Sequence, residues 1–463
     1  MTFRIFIISA VLACLTAVSG ASAEPYPSTY NPLPSGRVLI VNATILTGTG
    51  ARLENGSLLI SDGRIQQLST GAVAIEADDV QIIDAEGRWV TPGLIDVHSH
   101  LGVYASPSVK AHSDGNEATS PVTAQVWAEH SVWPQDPGFH RARAGGVTAL
   151  QILPGSANLV GGRGVTLKNV PSISYQAMKF PSAPHGLKMA CGENPKRVYG
   201  ERKQTPSTRM GNVAGYRAQW IEAQKYIQDW EEYEAKKDNK KNDRNGSTNK
   251  IPVRDLRLET LSAVLKGEIL VHMHCYRADE MLTILDMADE FGYTVSAFHH
   301  GVEAYKIADE LAENNVCGAL WADWWGFKAE AYDGIQENIA LVDRPEGSCA
   351  IVHSDSGEGI QRLNQEAAKA MTRGKRAGLE IQPEHAIRWI TANPAKSMGI
   401  LDQTGTLEPG KMADVVIWNG NPFSVYAKAD QVFVDGALLY DRNDPERQPV
   451  SDFELGQQLG AAQ

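Results

Sequence analysis

Strand-like apolar runs followed by helical stretches fill the middle of the chain, from about residue 91 to residue 400. "EILVHMH" precedes "ADEMLTILDMADEFG", "YTVSAFHHG" precedes "AYKIADELAENN", and "CAIVHSDS" precedes a helical stretch over about 359–378. Repeated units of this kind predict a parallel sheet with helical crossovers. A segment of about 300 residues suits a closed (β/α)8 TIM barrel, in which the chemistry sits where the strands end.

Both ends of the chain have a different pattern, with short alternating strands and turn residues. "RVLIVNATILTG", "GSLLISDGRIQQL" and "VQIIDAEGRWV" lie near the start, and "GTLEPGKMADVVIWNG" and "ADQVFVDGALLYD" lie near the end. Glycine, asparagine and aspartate separate these runs, which is typical of strands joined by tight turns. We therefore predict an α/β fold in which residues 24–90 and 401–463 form one small β-sandwich beside a barrel of residues 91–400.

The first 23 residues have the pattern of an export signal. Arg4 supplies a basic start, residues 5–18 are apolar, and "ASA" at 21–23 offers a cleavage site. An apolar run of this length is too short to cross a bilayer. We expect the mature chain to begin near Glu24 and to be exported, most plausibly to a bacterial periplasm, with no membrane insertion after cleavage.

The net charge limits the classes of partner, and the cysteine spacing limits the kinds of zinc and disulfide sites. The formal net charge of −12 disfavours nucleic acid and anionic membrane surfaces as partners, and it leaves a small-molecule substrate and a homo-oligomer open. The four cysteines beyond the signal have no C-x-x-C spacing, so neither a zinc knuckle nor a disulfide framework is indicated. An oxidising compartment permits one or two disulfides, and buried free thiols remain the alternative. These cysteines are Cys191, Cys275, Cys317 and Cys349.

Four of the strand-like runs end in side chains that can bind a metal ion. They are His98 with His100, His272 with His274, His299 with His300, and His353 with Asp355. Residues i and i+2 of a strand face the same side, so such pairs can point into a barrel mouth together. Any one of these histidines alone is more often a hydrogen-bonded interior residue, but their shared position predicts a metal site. Imidazole and carboxylate ligands suit zinc, and also manganese, iron or nickel.

At this point the chain resembles the amidohydrolase superfamily, near the branch of imidazolonepropionase-like proteins and metal-dependent dipeptidases. The resemblance spans about residues 37–439 and is carried by "PGLIDVHSH", "LKMACGENPK", "VHMH", "FHHG", "HSDS" and "TANPAKSMGILDQTGTLEPGKMADVVIWNGNP". It implies a metal centre with ligands from barrel strands 1, 4, 5, 6 and 8. By motif, the resemblance assigns His98 and His100 to strand 1, His272 to strand 5, His300 to strand 6 and Asp355 to strand 8.

The strand 4 position decides whether one or two ions bind. In two-metal members of the family it is a lysine that carbon dioxide carboxylates and that bridges the ions, and "HGLKMACG" makes Lys188 the candidate. Its amine must be neutral to react, which requires a setting of low dielectric that lowers its pKa. Glu193 is the competing bridge, and an ordinary solvated lysine is the third possibility. The expected cofactor is therefore a divalent metal, preferably Zn²⁺, with two ions if Lys188 is carboxylated.

A divalent ion that activates water and polarises a carbonyl leaves a need for a base, and Asp355 is the natural one. Arg277 and Lys328 fall in segments expected to be strand-to-helix loops, where either can bind a substrate carboxylate or simply face solvent. His274 and His353 are open between a substrate role and a structural one. Strand alternation predicts that His299 packs between strand and helix. Tyr276 and aromatic residues among 321–327 are candidates for lining a pocket, or for core packing.

Three functions remain open on the sequence. The first is hydrolysis of an amide-type C–N bond in a dipeptide, an N-acyl amino acid or a cyclic amide. The second is a lactonase or other ester hydrolase with the same metal centre. The third is a binding protein without turnover, against which the complete set of metal-binding side chains argues.

Overall fold

The computed structural model describes residues 25–71, 73, 79–239, 250–324 and 326–448. The predicted export signal and the end of the predicted C-terminal domain beyond residue 448 lie outside the described residues. Among the helices that are described, none combines the length and the apolar character needed to cross a bilayer.

The strands of the described residues form two sheets. Their bounds are β1 Arg37–Leu46, β2 Arg52–Ser61, β3 Arg64–Thr70, β4 Val80–Asp84, β5 Trp89–Pro92, β6 Leu94–Ser99, β7 Val147–Ile152, β8 Val160–Lys168, β9 His185–Ala190, β10 Ile269–His274, β11 Val295–His299, β12 Cys317–Leu320, β13 Ala350–Val352, β14 Val415–Trp418, β15 Ala429–Val434 and β16 Ala437–Asp441. Strands β6 to β13 form one sheet, and the strands of both chain ends form the other.

The helices lie mostly between the strands of the first sheet, as a strand-then-helix pattern predicts. Their bounds are α1 Pro137–Ala144, α2 Glu193–Glu201, α3 Arg209–Asn239, α4 Leu256–Leu265, α5 Ala278–Phe291, α6 Ala308–Glu313, α7 Asn338–Val342, α8 Leu363–Arg376, α9 Pro383–Ala386 and α10 Ala392–Ser397. Helix α5 follows the sequence pattern closely. Its buried side chains recur at helical spacing along "ADEMLTILDMADEF", and Gly292 ends the helix in a left-handed conformation.

The chain ends share one sheet of eight strands, in the order β16-β15-β14-β5-β1-β2-β3, with β4 paired to β1. Strand β14 runs antiparallel to β5, with Val416 opposite Thr91, and this pairing joins the late segment to the early one. Apolar side chains from both segments, among them Ile45, Val90 and Val415, enclose one fully buried cluster. The predicted two-part β domain is therefore present as a single continuous sheet.

The barrel sheet has the strand order β6 to β13, which confirms the predicted barrel fold. One strand departs from the parallel arrangement: β8 runs antiparallel to both β7 and β9. The connection of residues 153–159 between β7 and β8 is too short for the crossover that parallel neighbours require, so β8 returns alongside β7 as a hairpin. The other seven described strands of this sheet run in one direction.

Hydrogen bonds outside the regular ladder close the barrel between β13 and β6. The Asp355 backbone N–H donates to the His98 carbonyl oxygen at 3.1 Å. The Ser354 hydroxyl and backbone N–H both donate to the Asp96 carboxylate, the latter at 3.2 Å. Burial raises the pKa of Asp96 to about 6, although these hydrogen bonds oppose the rise. Closure at this seam sets Asp355 directly beside His98.

All four described cysteines are paired, which differs from the expectation that no disulfide framework was indicated. Cys191 binds Cys275, and Cys317 binds Cys349. Each bond joins residues at or next to the ends of neighbouring barrel strands, β9 with β10 and β12 with β13. Spacing rules detect cysteines that are close in sequence, whereas these partners are 84 and 32 residues apart and meet only through sheet pairing.

A buried ion cluster joins the barrel to the chain-end sheet. Lys168 ends β8 with no exposed surface, and its Nζ lies 3.0 Å from carboxylate oxygens of both Asp414 and Asp435. Thr404 donates to Asp414 and Tyr30 donates to Asp435, so the carboxylates have further partners. Two carboxylates facing one ammonium inside the protein are tolerated only while that cation is present.

We predict that Lys168→Met lowers the free energy of unfolding by about 3–5 kcal/mol, because it leaves two buried carboxylates without a cation. The measurement is equilibrium denaturation in urea. Arg217→Met is the control, since Arg217 forms an exposed pair with Glu290 and its loss has little effect. Equal unfolding midpoints for the two variants would contradict a stabilising role for the buried cluster.

Candidate metal centre

Three side chains from the barrel seam form the first candidate ligand group. His98 and His100 come from β6 and the residue just after it, and Asp355 comes from the residues after β13. His100 Nε2 lies 3.1 Å from Asp355 Oδ1, and His98 Nε2 lies 3.6 Å from the same oxygen. One potential ligand atom from each residue falls within 4.8 Å of the others. The i, i+2 spacing in β6 therefore gives the shared direction that the sequence predicts.

A second group shares His98 with the first and adds His300 and His353, again within 4.8 Å. His300 follows β11 with a φ of 69°, a left-handed conformation that few non-glycine residues adopt. Both ring nitrogens of His353 and the Nδ1 of His300 are buried and have no hydrogen-bond partner within the part of the chain that the structure describes. Buried polar atoms that have no protein partner are costly, and an ion is one group that satisfies them.

The electrostatics of these rings suit metal binding. Burial holds the pKa of His98 and His300 well below the ordinary histidine value, and it lowers the pKa of His353 to about 4. The rings are therefore neutral at neutral pH and keep a lone pair for a cation. Burial raises the pKa of Asp355, but the His100 hydrogen bond and neighbouring positive charge outweigh it, so the net direction is down. A neutral imidazole set with one carboxylate fits a divalent ion.

Lys188 of β9 is 1% exposed, and its Nζ lies 3.1 Å from His98 Nε2. Burial lowers its pKa to about 7, against the opposing effect of Asp355. A solvated lysine would not have these surroundings, so that alternative does not describe Lys188. The competing residue Glu193 instead lies 3.5 Å from Lys328 Nζ, and it does not line the cavity that contains Lys188.

A cavity of about 690 Å³ opens at this end of the barrel. Its walls combine the candidate ligands with polar and aromatic side chains from the loops. Those that matter below are His98, His100, Tyr104, Asn116, Ser156, Lys188, Asn194, His274, Tyr276, His300, Trp321, Trp324, Phe327, Lys328 and Asp355. The aromatic residues predicted as pocket candidates are in this wall, except Trp325, which lies outside the described residues.

The two histidines of β10 occupy different depths. His274 lines the cavity with a buried, unpartnered Nδ1. His272 does not line it: one ring nitrogen contacts His299, and the other contacts Gln151. Residues two apart in a strand are separated by roughly 7 Å along its axis, so only one of the pair reaches the mouth. His274, and not His272, therefore lines the cavity.

His299 was expected between strand and helix, and this expectation is wrong. Its Nδ1 lies 2.8 Å from His98 Nδ1, and its Nε2 lies 2.9 Å from His272 Nδ1, so the ring is inside the barrel. Strand alternation directs His299 inward, and the left-handed turn at His300 then brings the next ring to the same side. The expectation assumed that alternation continued through His300.

The two candidate cations for a substrate carboxylate separate clearly. Arg277 forms a bidentate pair with Asp279 at 2.9 Å, and it does not line the cavity. Lys328 does line it, with Nζ 3.0 Å from Asn194 Oδ1 and 4.6 Å from the centre of the Tyr276 ring. Burial lowers the pKa of Lys328, with Glu193 opposing. Only Lys328 is in reach of a molecule in the cavity.

Sequence reasoning missed several wall residues. Tyr104, Asn116, Ser156 and Asn194 come from loops, whose paths no periodicity predicts. Gln151 carried a signal that was available: it is an amide within the apolar run "VTALQI", in a strand that is buried throughout. A polar side chain in such a strand must have a partner inside the protein.

Comparison with known proteins identifies the family. The model of the amidohydrolase family matches residues 352–440. The crystal structure of an amidohydrolase from Thermotoga maritima is 37% identical, with a TM-score of 0.77, and the match covers 88% of this chain and all of that one. The chain belongs to the amidohydrolase superfamily.

A second relative of this amidohydrolase is the amidohydrolase tasK of Hapsidospora irregularis, 33% identical over 83% of this chain. The match covers 40% of tasK, so the chain spans well under half the length of that relative. An adenosine deaminase from Xanthomonas campestris with bound zinc has a TM-score of 0.52 at 14% identity, over 91% of this chain and 95% of that one. This last likeness shows the shared fold.

We predict that the double variant His98→Asn, His100→Asn binds much less zinc than the wild type, because both candidate groups contain His98 and one also contains His100. Zinc per chain is measured by mass spectrometry after equilibrium dialysis. His130→Asn, with its exposed ring outside the cavity, is the control and keeps wild-type zinc. Full zinc content in a folded double variant would rule out this position for the ion.

Proposed function

We propose that this amidohydrolase is a metal-dependent hydrolase of an amide-type C–N bond in a small substrate that carries a free carboxylate. The observation that supports it most is the ligand group of His98, His100 and Asp355, which lines one cavity together with His274, His300 and Lys188. The family relation supports the reaction class, and the cation at the cavity wall supports the substrate class.

We propose that His98, His100 and Asp355 would hold one ion and that His274 and His300, with Lys188 beside them in the cavity wall, would hold a second. A bound divalent ion activates a water molecule and polarises the scissile carbonyl. Zinc is the proposed metal, since neutral imidazoles predominate among the ligands and a zinc-bound protein shares the fold. In this assignment His274 replaces His272 as the ligand from β10, because its ring lines the cavity and its buried Nδ1 has no partner among the described residues.

Asp355 is the proposed general base. When water attacks the carbonyl carbon, a carboxylate oxygen of Asp355 accepts its proton and then delivers that proton to the leaving nitrogen as the C–N bond breaks. The low pKa of this carboxyl, maintained by the His100 hydrogen bond and nearby positive charge against the effect of burial, keeps it ionised and ready to accept. Its place beside His98 and His100 puts this exchange at the metal centre.

Lys188 is the proposed bridge in carboxylated form. Its amine is buried, its pKa is lowered to about 7, and a substantial neutral fraction is therefore present at neutral pH. The neutral amine would attack carbon dioxide and lose a proton to become a carbamate, whose two oxygens would be available as ligands for divalent ions. The closeness of Nζ to His98 Nε2, 3.1 Å, supports a bridging position.

We predict two metal ions per chain and a carbamate carbon signal in 13C NMR after equilibration with 13C-bicarbonate. Lys188→Ala loses the signal and at least one ion, and a short carboxylic acid such as propionate partly restores metal binding by supplying the missing carboxylate. One ion in the wild type and no carbamate signal would remove Lys188 as the bridge.

Lys328 is the proposed anchor for the substrate carboxylate. It lines the cavity next to Tyr276 and Phe327, and its side chain is 22% exposed. A charged hydrogen bond of this kind contributes about 1.5–3 kcal/mol. Dipeptides and N-acyl amino acids offer such a carboxylate, whereas their C-terminal amides do not.

We predict that Lys328→Met lowers kcat/KM for an N-acyl amino acid or dipeptide by about 10–100-fold and changes it little for the matching amide, because only the acid uses the ammonium. Arg277→Met is the matched control and leaves both rates near wild type. Equal losses on acid and amide would discard the anchor, and activity confined to a panel of lactones would overturn the proposed bond class.

Export to an oxidising compartment is part of the proposal. The two disulfides of the barrel support it, since such bonds persist mainly outside the reducing cytoplasm. Secretion of the full chain with cleavage near Glu24, checked by N-terminal sequencing of the periplasmic protein, is the corresponding test.

A further inference from the structure

Three imidazoles and one amide form an unbroken chain of contacts below the cavity. His98 Nδ1 lies 2.8 Å from His299 Nδ1, His299 Nε2 lies 2.9 Å from His272 Nδ1, and His272 Nε2 lies 3.2 Å from Gln151 Nε2. The four residues come from β6, β11, β10 and β7, and each is at most 1% exposed. None of the three beyond His98 lines the cavity, so they are not in reach of substrate.

Each ring-to-ring contact of this length holds exactly one proton, because two ring N–H groups would repel and two bare nitrogens would not attract. Neutral imidazoles carry one N–H each, so the direction of one contact fixes the next. Only two arrangements of the chain exist. In one, His98 donates to His299 and His299 donates to His272. In the other, every donor and acceptor is reversed.

The two arrangements leave His98 in different tautomers. When His98 donates from Nδ1, its Nε2 is bare and faces the metal centre. When the chain is reversed, the proton sits on His98 Nε2 and blocks that position. Gln151 decides between them, because its side-chain oxygen is buried without a partner while its nitrogen faces His272. With its nitrogen toward His272, Gln151 donates and favours the reversed chain, but its buried oxygen then has no partner among the described residues. Rotated by 180°, the amide presents that oxygen to the His272 N–H and favours the bare His98 Nε2.

The layer that contains this chain is tightly built. A Cβ added to Gly186 of β9 would lie 2.7 Å from His272 Cδ2 and 2.8 Å from Gln151 Nε2. Distances this short are not tolerated, so the absence of a side chain at residue 186 gives the His272 ring and the Gln151 amide their space. The backbone of Gly186 is not left-handed, which makes space, rather than conformation, the reason for glycine here.

We propose that His299, His272 and Gln151 are positioning residues that hold His98 in the tautomer with a bare Nε2, and so raise the affinity of the centre for its ion. This inference rests on the proposed function, since it assigns His98 as a ligand. It requires no change of charge in any ring. Groups that orient a metal-binding histidine in this way commonly change metal affinity by about 10–100-fold.

The experiment compares His272→Leu with His272→Asn. Asparagine places an oxygen near the former Nδ1 and still accepts from His299, whereas leucine accepts nothing. We expect the Leu variant to bind zinc about 10–100-fold more weakly and the Asn variant to stay within a few-fold of wild type. Zinc dissociation constants come from competition with a chromophoric chelator, and melting temperatures of the metal-free proteins show whether both variants fold equally well.

A second pair of variants changes Gln151, the last residue of the hydrogen-bonded series, and leaves every histidine in place. The Gln151→Glu side chain can only accept a hydrogen bond from His272, so we expect this variant to keep the zinc affinity. The Gln151→Met side chain can neither donate nor accept, so we expect this variant to bind zinc more weakly. Nitrogen-15 NMR of histidine-labelled metal-free protein reports the tautomer directly: the His98 Nδ1 carries the proton in wild type, and the two nitrogens become mixed in the Met variant. A purely structural role for Gln151 predicts equal affinity losses in both variants.

The outcomes separate this inference from the proposed function. A wild-type protein that binds no zinc overturns both. Zinc binding that is equal in wild type, His272→Leu and Gln151→Met overturns the positioning role alone. Complete loss of an ion in both His272 variants, with Gln151 variants unaffected, returns His272 to the ligand set and also overturns it.

Discussion

The closed seam between β6 and β13 is the interaction on which the rest of the site depends. Asp96 and Ser354 join the first and last strands of the barrel, and the Asp355 backbone binds the His98 carbonyl. Without that seam the two sequence motifs that hold most of the candidate ligands, at residues 98–100 and 353–355, would have no fixed relation. The closure of the barrel therefore brings two motifs that are distant in sequence into one candidate coordination group.

Burial then determines the protonation state of histidines that lie inside the closed barrel. In water these rings would titrate near neutral pH, but inside the barrel burial keeps their pKa values low and the rings neutral. The rings lie in two layers. In the cavity layer some ring nitrogens, such as Nδ1 of His274 and His300, have no partner among the described residues, and in the deeper layer His299, His272 and Gln151 contact one another. The same low dielectric lowers the pKa of Lys188.

Sequence reasoning recovered what periodicity encodes and missed what three-dimensional packing decides. The alternation of "PGLIDVHSH" was sufficient to predict that His98 and His100 point the same way, and helical spacing predicted α5. The reversed strand β8 depends on a short connection, and the placement of His299 and His300 on the same side depends on the left-handed conformation of residue 300. Which of His272 and His274 reaches the cavity depends on the register of β10 against β9, which the sequence of one strand does not reveal.

The disulfide between Cys191 and Cys275 has a bearing on how the protein is handled. Cys191 is three residues after Lys188, and Cys275 is the residue after His274, so this covalent link ties the strand of one candidate ligand to the strand of another. Protein folded in a reducing cytoplasm, or stored with a thiol reductant, has the same sequence without that tie. Two preparations of this chain can thus differ at the metal site before any mutation is made.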